Sequence, residues 1–155
     1  NRYWKLFKEE KVSKSDLRYG RLKEAFDELD DRASDDLIHV LSVDYITYLA
    51  NNNDLFENAI PVLDYLKERY RMHIITNGFE EVQHRKLNNS KLFEYAMEIS
   101  GARAHESIMI GDNFEADILG AMNVGMQVVF CKFNGEVATQ KVPMVDNLIE
   151  LKQLL

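Results

Sequence analysis

The chain has 155 residues, 46% hydrophobic and 29% charged, values near those of ordinary globular domains, which excludes disordered and fibrous classes. Lys+Arg 19 against Asp+Glu 26 gives a formal charge of −7 with no basic cluster to offset it, so neither nucleic acid nor an anionic membrane is an expected partner. The longest apolar runs, such as 108–110 and 127–131, are strand-sized, far below the roughly 20 residues that span a bilayer. Cys131 is the only cysteine, so no internal disulfide forms, and the opening residues Asn1 to Trp4 carry no leader pattern; a cytoplasmic location is expected.

Residues 3–55 are helical in pattern. Leu22, Phe26 and Leu29 recur at i, i+4, i+7, and Leu37, Leu41, Tyr45, Tyr48 and Leu49 repeat the period. Ser13 with Asp16 reads as a capping box, which predicts a helix over about 14–29. The acidic stretch 27–36 lacks the spacing of a calcium loop and reads as a solvated turn between helices. Asn51 to Asp54 is a turn cluster, and the pattern changes after it, which places a domain boundary near residue 54.

Beyond that boundary strand and helix signals alternate. Pro61 opens a helix over 60–69, with Val62, Leu63 and Leu66 as its buried stripe. Met72 to Thr76, short, apolar and β-branched, predicts a buried strand. Helices are expected over 80–87, 92–99, 114–122 and 147–154, and further strands over 107–110 and 127–131. Such alternation implies an α/β fold with a parallel sheet. The helices at 80–87 and 92–99 abut at Asn88 to Lys91 with no strand between them, although a strand-crossover-strand unit returns to the sheet after one helix. Gly 7 and Pro 2 are also low against average usage of about 7% and 5%.

Three features could carry chemistry. Thr76-Asn77-Gly78 lies where the predicted strand passes into a helix, so a hydroxyl and free backbone N–H groups could hold a phosphate; Asn-Gly is equally a turn dipeptide. Gly111-Asp112-Asn113 ends the strand over 107–110, and Asp117 follows early in the next helix. Two carboxylates at the carboxyl end of a parallel strand suit magnesium bound to phosphate, whereas helix capping is the plainer reading of the same residues. Arg18 and Arg21, three apart on one helix, could meet an anionic substrate or simply face solvent. Gly120, Ala121 and Gly125 come too late in their helix to form a dinucleotide fingerprint. The four histidines share no metal-ligand spacing, and Cys131 ends an apolar strand as inert core.

Taken together, 74–78 (Ile-Ile-Thr-Asn-Gly) and 108–121 (from Ile-Met-Ile-Gly-Asp-Asn to Leu-Gly-Ala) resemble two signature motifs of the haloacid dehalogenase-like (HAD) superfamily, and 74–87 is similar to the branch containing pyrimidine 5'-nucleotidases and related small-molecule phosphatases. The resemblance implies a Rossmann-like core with a parallel sheet, residues 55–155, and an α-helical cap, residues 1–54. It implies magnesium-dependent hydrolysis of a small phosphate ester, with Thr76, Asn77 and Asp112 catalytic. Thr76, Asn77 and Gly78 would bind phosphate, Asp112 and Asp117 would serve the metal, and the cap, with Arg18 and Arg21, would select substrate. The family's Asp-x-Asp nucleophile motif is absent from the sequence, as is its lysine motif, which would fall near Ser90-Lys91. The 155 residues are therefore expected to be part of a longer protein, lacking an N-terminal core segment and a segment at 90/91. A haloacid dehalogenase, or a catalytically inactive module that binds phosphate and metal, are the competing readings.

Overall fold

A computed structural model describes residues 2–30, 32–95 and 101–155. The chain divides into two compact units, Asn1–Asn53 with Gly78–Asn89, and Asp54–Asn77 with Ser90–Leu155.

The first unit is helical, with α1 (Arg2–Lys8), α2 (Lys14–Glu28), α3 (Asp35–Leu49) and α5 (Glu80–Asn89). The capping box forms as expected: Asp16 N donates to Ser13 Oγ at 3.1 Å, and Ser13 N donates to Asp16 Oδ2 at 3.0 Å. Ser13 Oγ also donates to Asp16 Oδ2 at 2.6 Å, and this bond first, then that of the Ser13 N–H, holds the Asp16 carboxyl below its ordinary range. Leu17, Phe79 and Val82 are buried at the centre of this unit, ringed by Tyr3, Trp4, Phe7, Ile46 and Leu49. Gly20 lets α1 approach, since a Cβ there would sit 2.2 Å from the Tyr3 ring. Arg85 Nη2 donates to Ile46 O at 3.1 Å and Asn89 Nδ2 to Ala50 O at 2.9 Å, which ties α5 to the end of α3.

Helical periodicity is present but the buried faces differ from expectation. On α3 the inward residues are Ile38 and Ser42, with Ile46 and Leu49 half-buried, while Leu37, Tyr45 and Tyr48 are exposed. The helix carries apolar residues on two faces, so period alone does not say which one a neighbour covers. On α2 the inward residues are Leu17 and Gly20; Leu29 lies past the helix end and is 77% exposed.

The second unit is α/β. It contains α4 (Ala59–Lys67), β1 (Ile108–Gly111), α6 (Gly120–Asn123), β2 (Gln127–Cys131), β3 (Met144–Val145) and α7 (Leu151–Leu154). The sheet is parallel in the order β1-β2-β3, with Ile108 opposite Gln127 and Phe130 opposite Met144. Val129 and Cys131 pack with Val62, Leu66, Val145 and Leu151 on one face. Val128 and Phe130 pack with Phe114, Ile118, Ala121 and Val142 on the other. A strand buried on both faces needs no polar alternation, which is why 127–131 reads as a continuous apolar run.

Three expectations change. The stretch 71–77 is not part of the sheet among the described residues, and Ile74 and Ile75 are 42% and 69% exposed rather than buried. β-Branched composition marks a surface that fits a pleat, but a strand forms only where a neighbouring strand takes up its backbone groups. The helix expected over 92–99 begins as a 3-10 turn at Leu92–Tyr95, and 96–100 lie outside the described residues. The helix expected over 114–122 opens as a π turn, Phe114–Leu119, before α6.

Phe130 is fully buried and meets Phe114 edge-on at 5.2 Å. Phe130→Ala is expected to lower stability by about 3–5 kcal/mol in urea denaturation.

Candidate active site

The carboxyl end of β1 is built from its own sequence. Gly111 closes the strand, and a Cβ placed on it would lie 2.5 Å from Cβ and Oδ2 of Asp117, so only glycine lets that carboxylate fold back over the strand end. Asp117 Oδ2 accepts from Asn113 N at 3.1 Å, and Asn113 Oδ1 caps the following turn by accepting from Ala116 N at 2.7 Å. Asn113 O accepts from both Asp117 N at 2.9 Å and Ile118 N at 3.4 Å, the bifurcation that widens this turn to π geometry. Capping is thus the work of Asn113, and Asp112 is left to other partners.

Asp112 and Asp117 are both half-buried, Asp112 directly after this strand end and Asp117 folded back over Gly111. Their charges reach Cys131 at the end of β2, whose thiol is pushed up to about 11, chiefly by burial and then by Asp112 and Asp117. A thiol so protonated is no nucleophile.

Two side chains from the loop after β2 also reach this turn. Asn134 Nδ2 donates to Asp112 Oδ2, and Phe114 N donates to Glu136 Oε2 at 3.0 Å. Sequence reasoning missed both; the Asn134-Gly135 turn dipeptide after a strand was the available signal.

Thr76 and Asn77 are exposed on the irregular stretch 71–77. The space a Cβ would take at Gly78 is filled by the flexible Gln83 side chain. In the helical unit, Arg18 and Arg21 line one cleft of about 360 Å³ with Leu22, Ser42, Tyr45 and Phe79. Arg18 stacks on Phe79 at 4.7 Å and donates through Nη2 to Glu81 at 2.8 Å, while its buried Nε lacks a hydrogen-bond partner among the described residues. Arg21 lies 5.7 Å from the rings of both Trp4 and Tyr45.

As a donor set, Asp112 and Asp117 offer hard carboxylate oxygens. No group of three or more His, Cys, Asp and Glu side chains gathers into a metal site among the described residues. Magnesium typically uses one or two carboxylates and keeps waters and substrate phosphate oxygens, so this pair fits magnesium better than a metal needing an all-protein cage.

A family model described as HAD-hydrolase-like matches residues 85–142. Glyceraldehyde 3-phosphate phosphatase of Pyrococcus furiosus is 29% identical over 122 residues, 77% of this chain and 50% of that protein. Pyrimidine 5'-nucleotidase YjjG of Escherichia coli is 30% identical over 125 residues, 63% of this chain and 55% of that protein. Over these spans the chain is similar to HAD-like hydrolases. The chain spans about half the length of these curated relatives. The crystal structure of YfnB from Bacillus subtilis, bound to magnesium, shares its fold with a TM-score of 0.81 at 20% identity, covering 99% of this chain and 77% of that one. Asp112, Asp117, Asn134 and Glu136 fall inside the span matched by the family model; Thr76, Asn77 and Gly78 precede it. Among the described residues no helix is long and apolar enough to cross a membrane.

Two measurements test this geometry. Gly111→Ala is expected to displace Asp117 and cost about 1–3 kcal/mol in urea denaturation, as overpacking does. Cys131 is protonated in the fold above the ordinary thiol value of 9.0, so its contribution to stability is complete below pH 9 and is lost as pH rises through about 11. Denaturation midpoints from pH 8 to 11 are expected to fall more steeply for the wild type than for Cys131→Ala.

Proposed function

We propose that this chain belongs to a magnesium-dependent phosphatase that hydrolyses a small phosphate monoester, with a nucleoside 5'-monophosphate as the first substrate to test. The reaction passes through an aspartyl-phosphate whose nucleophile is supplied by a segment outside these 155 residues. The observation that carries the reading is the Asp117 carboxylate folded over the end of β1 at Gly111, the residue that precedes Asp112. Phosphatases and nucleotidases among the relatives support it.

In this reading Asp112 and Asp117 hold the cation, which when bound would offset negative charge on the transferring phosphoryl group. The Thr76 hydroxyl and the N–H groups of Asn77 and Gly78 donate to phosphate oxygens, positioning the ester and stabilising charge on it. Residues 1–54 act as the cap, and Arg21, with Arg18, both lining the helical cleft, selects the substrate. Arg18 enters that role already engaged by Glu81, so Arg21 carries more of the recognition.

The test is phosphate release from p-nitrophenyl phosphate and from nucleoside 5'-monophosphates, using the full protein. Turnover is expected to vanish in EDTA, to return with magnesium, and to fall about 100-fold or more in Asp112→Asn. Tight ester binding without turnover would instead mark a binding module, and EDTA-resistant release of halide from a haloacid would mark a dehalogenase.

A further inference from the structure

The loop after β2 grips the turn after β1 at two points, one on a candidate cation ligand and one on the backbone that carries it. Asn134 Nδ2 donates to Asp112 Oδ2, and Glu136 Oε2 accepts the Phe114 N–H at 3.0 Å. Between them Gly135 sits at φ +70°, in the left-handed region that side-chain-bearing residues rarely adopt, and this kink lets residues two apart serve one turn.

We propose that Asn134 and Glu136 are positioning residues for the cation, an inference that rests on Asp112 being its ligand. A half-buried carboxylate at a strand end still samples several rotamers and loses that freedom when it coordinates. The Asn134 amide restricts that freedom beforehand, because its hydrogen bond to Oδ2 holds the carboxylate in one orientation that a cation would meet. Glu136 acts one bond further back, because fixing the Phe114 N–H fixes the path of the backbone from Asp112 into the π turn. Its own Oε2 is taken up in that bond, so Glu136 anchors the turn. Outer partners of this kind govern cation affinity by about 10–100-fold.

Magnesium chloride alone, without substrate, is the probe, titrated into the full protein by calorimetry and followed as the cation-dependent rise in melting temperature. Asn134→Ala and Asn134→Leu are expected to melt like the wild type without magnesium yet bind it about 10–100-fold more weakly. Glu136→Ala is expected to weaken binding as well, while Glu136→Gln, whose carbonyl oxygen still accepts the Phe114 N–H, is expected to retain it. Asp112→Asn serves as the reference for loss of the ligand itself. Wild-type magnesium affinity in both Asn134 variants, with binding lost in Asp112→Asn, would overturn this inference alone. Wild-type affinity in Asp112→Asn would overturn the cation-site reading beneath it.

Discussion

Val128 to Cys131 alternate between two cores, Val128 and Phe130 facing the π turn and α6, Val129 and Cys131 facing α4 and α7. The remainder of the α/β unit depends on this double burial. A parallel strand that is covered on both faces cannot slip by one residue without exchanging its two sets of contacts, so its register against β1 is fixed. That register sets Gly111 opposite Phe130 and thereby decides where β1 ends and Asp112 begins. The position of the candidate carboxylates is a consequence of core packing several residues away.

The turn that follows is held from both sides. Asn113 caps it from within, while Asn134 and Glu136 reach in from the loop after the neighbouring strand. In an open parallel sheet adjacent strands release their loops at the same edge, so groups distant in sequence converge there. The widened π turn admits one more residue than an α turn would, and Asp117 folds back over Gly111 from it. Backbone irregularity of this kind is retained where a side chain must be placed, because regular helix geometry alone would not supply the placement.

The helical unit rests on a different interaction. Phe79 is buried against Trp4 at 5.1 Å and under the Arg18 guanidinium at 4.7 Å, and Arg18 is held by Glu81 in the first turn of α5. One backbone N–H group and two cations meet the Glu81 carboxylate here: it is held below its ordinary range by its own backbone N–H first, then by Lys14 and Arg18. An aromatic floor with guanidinium groups above it gives the cleft both apolar area and fixed charge.

Much of this architecture was legible in the chain. The capping box at Ser13 and Asp16, the helix around Pro61, and the strands at 108–111 and 127–131 follow from local chemistry, because caps and periodicity act over a few residues. Spacing alone also named Asp112 and Asp117 as a candidate pair. Tertiary structure decided what depends on neighbours: that 71–77 stays out of the sheet, that α3 buries Ile38 and Ser42 in place of Leu37 and Tyr45, and that β3 forms from only two residues. It also decided the partners of Asp112 and Phe114, since Asn134 and Glu136 lie 22 residues further along and only the parallel pairing of β1 with β2 brings their loop to the turn. Sequence determines which groups a residue can offer; which of them meet is fixed by the packing of strands whose contacts are far apart in the chain.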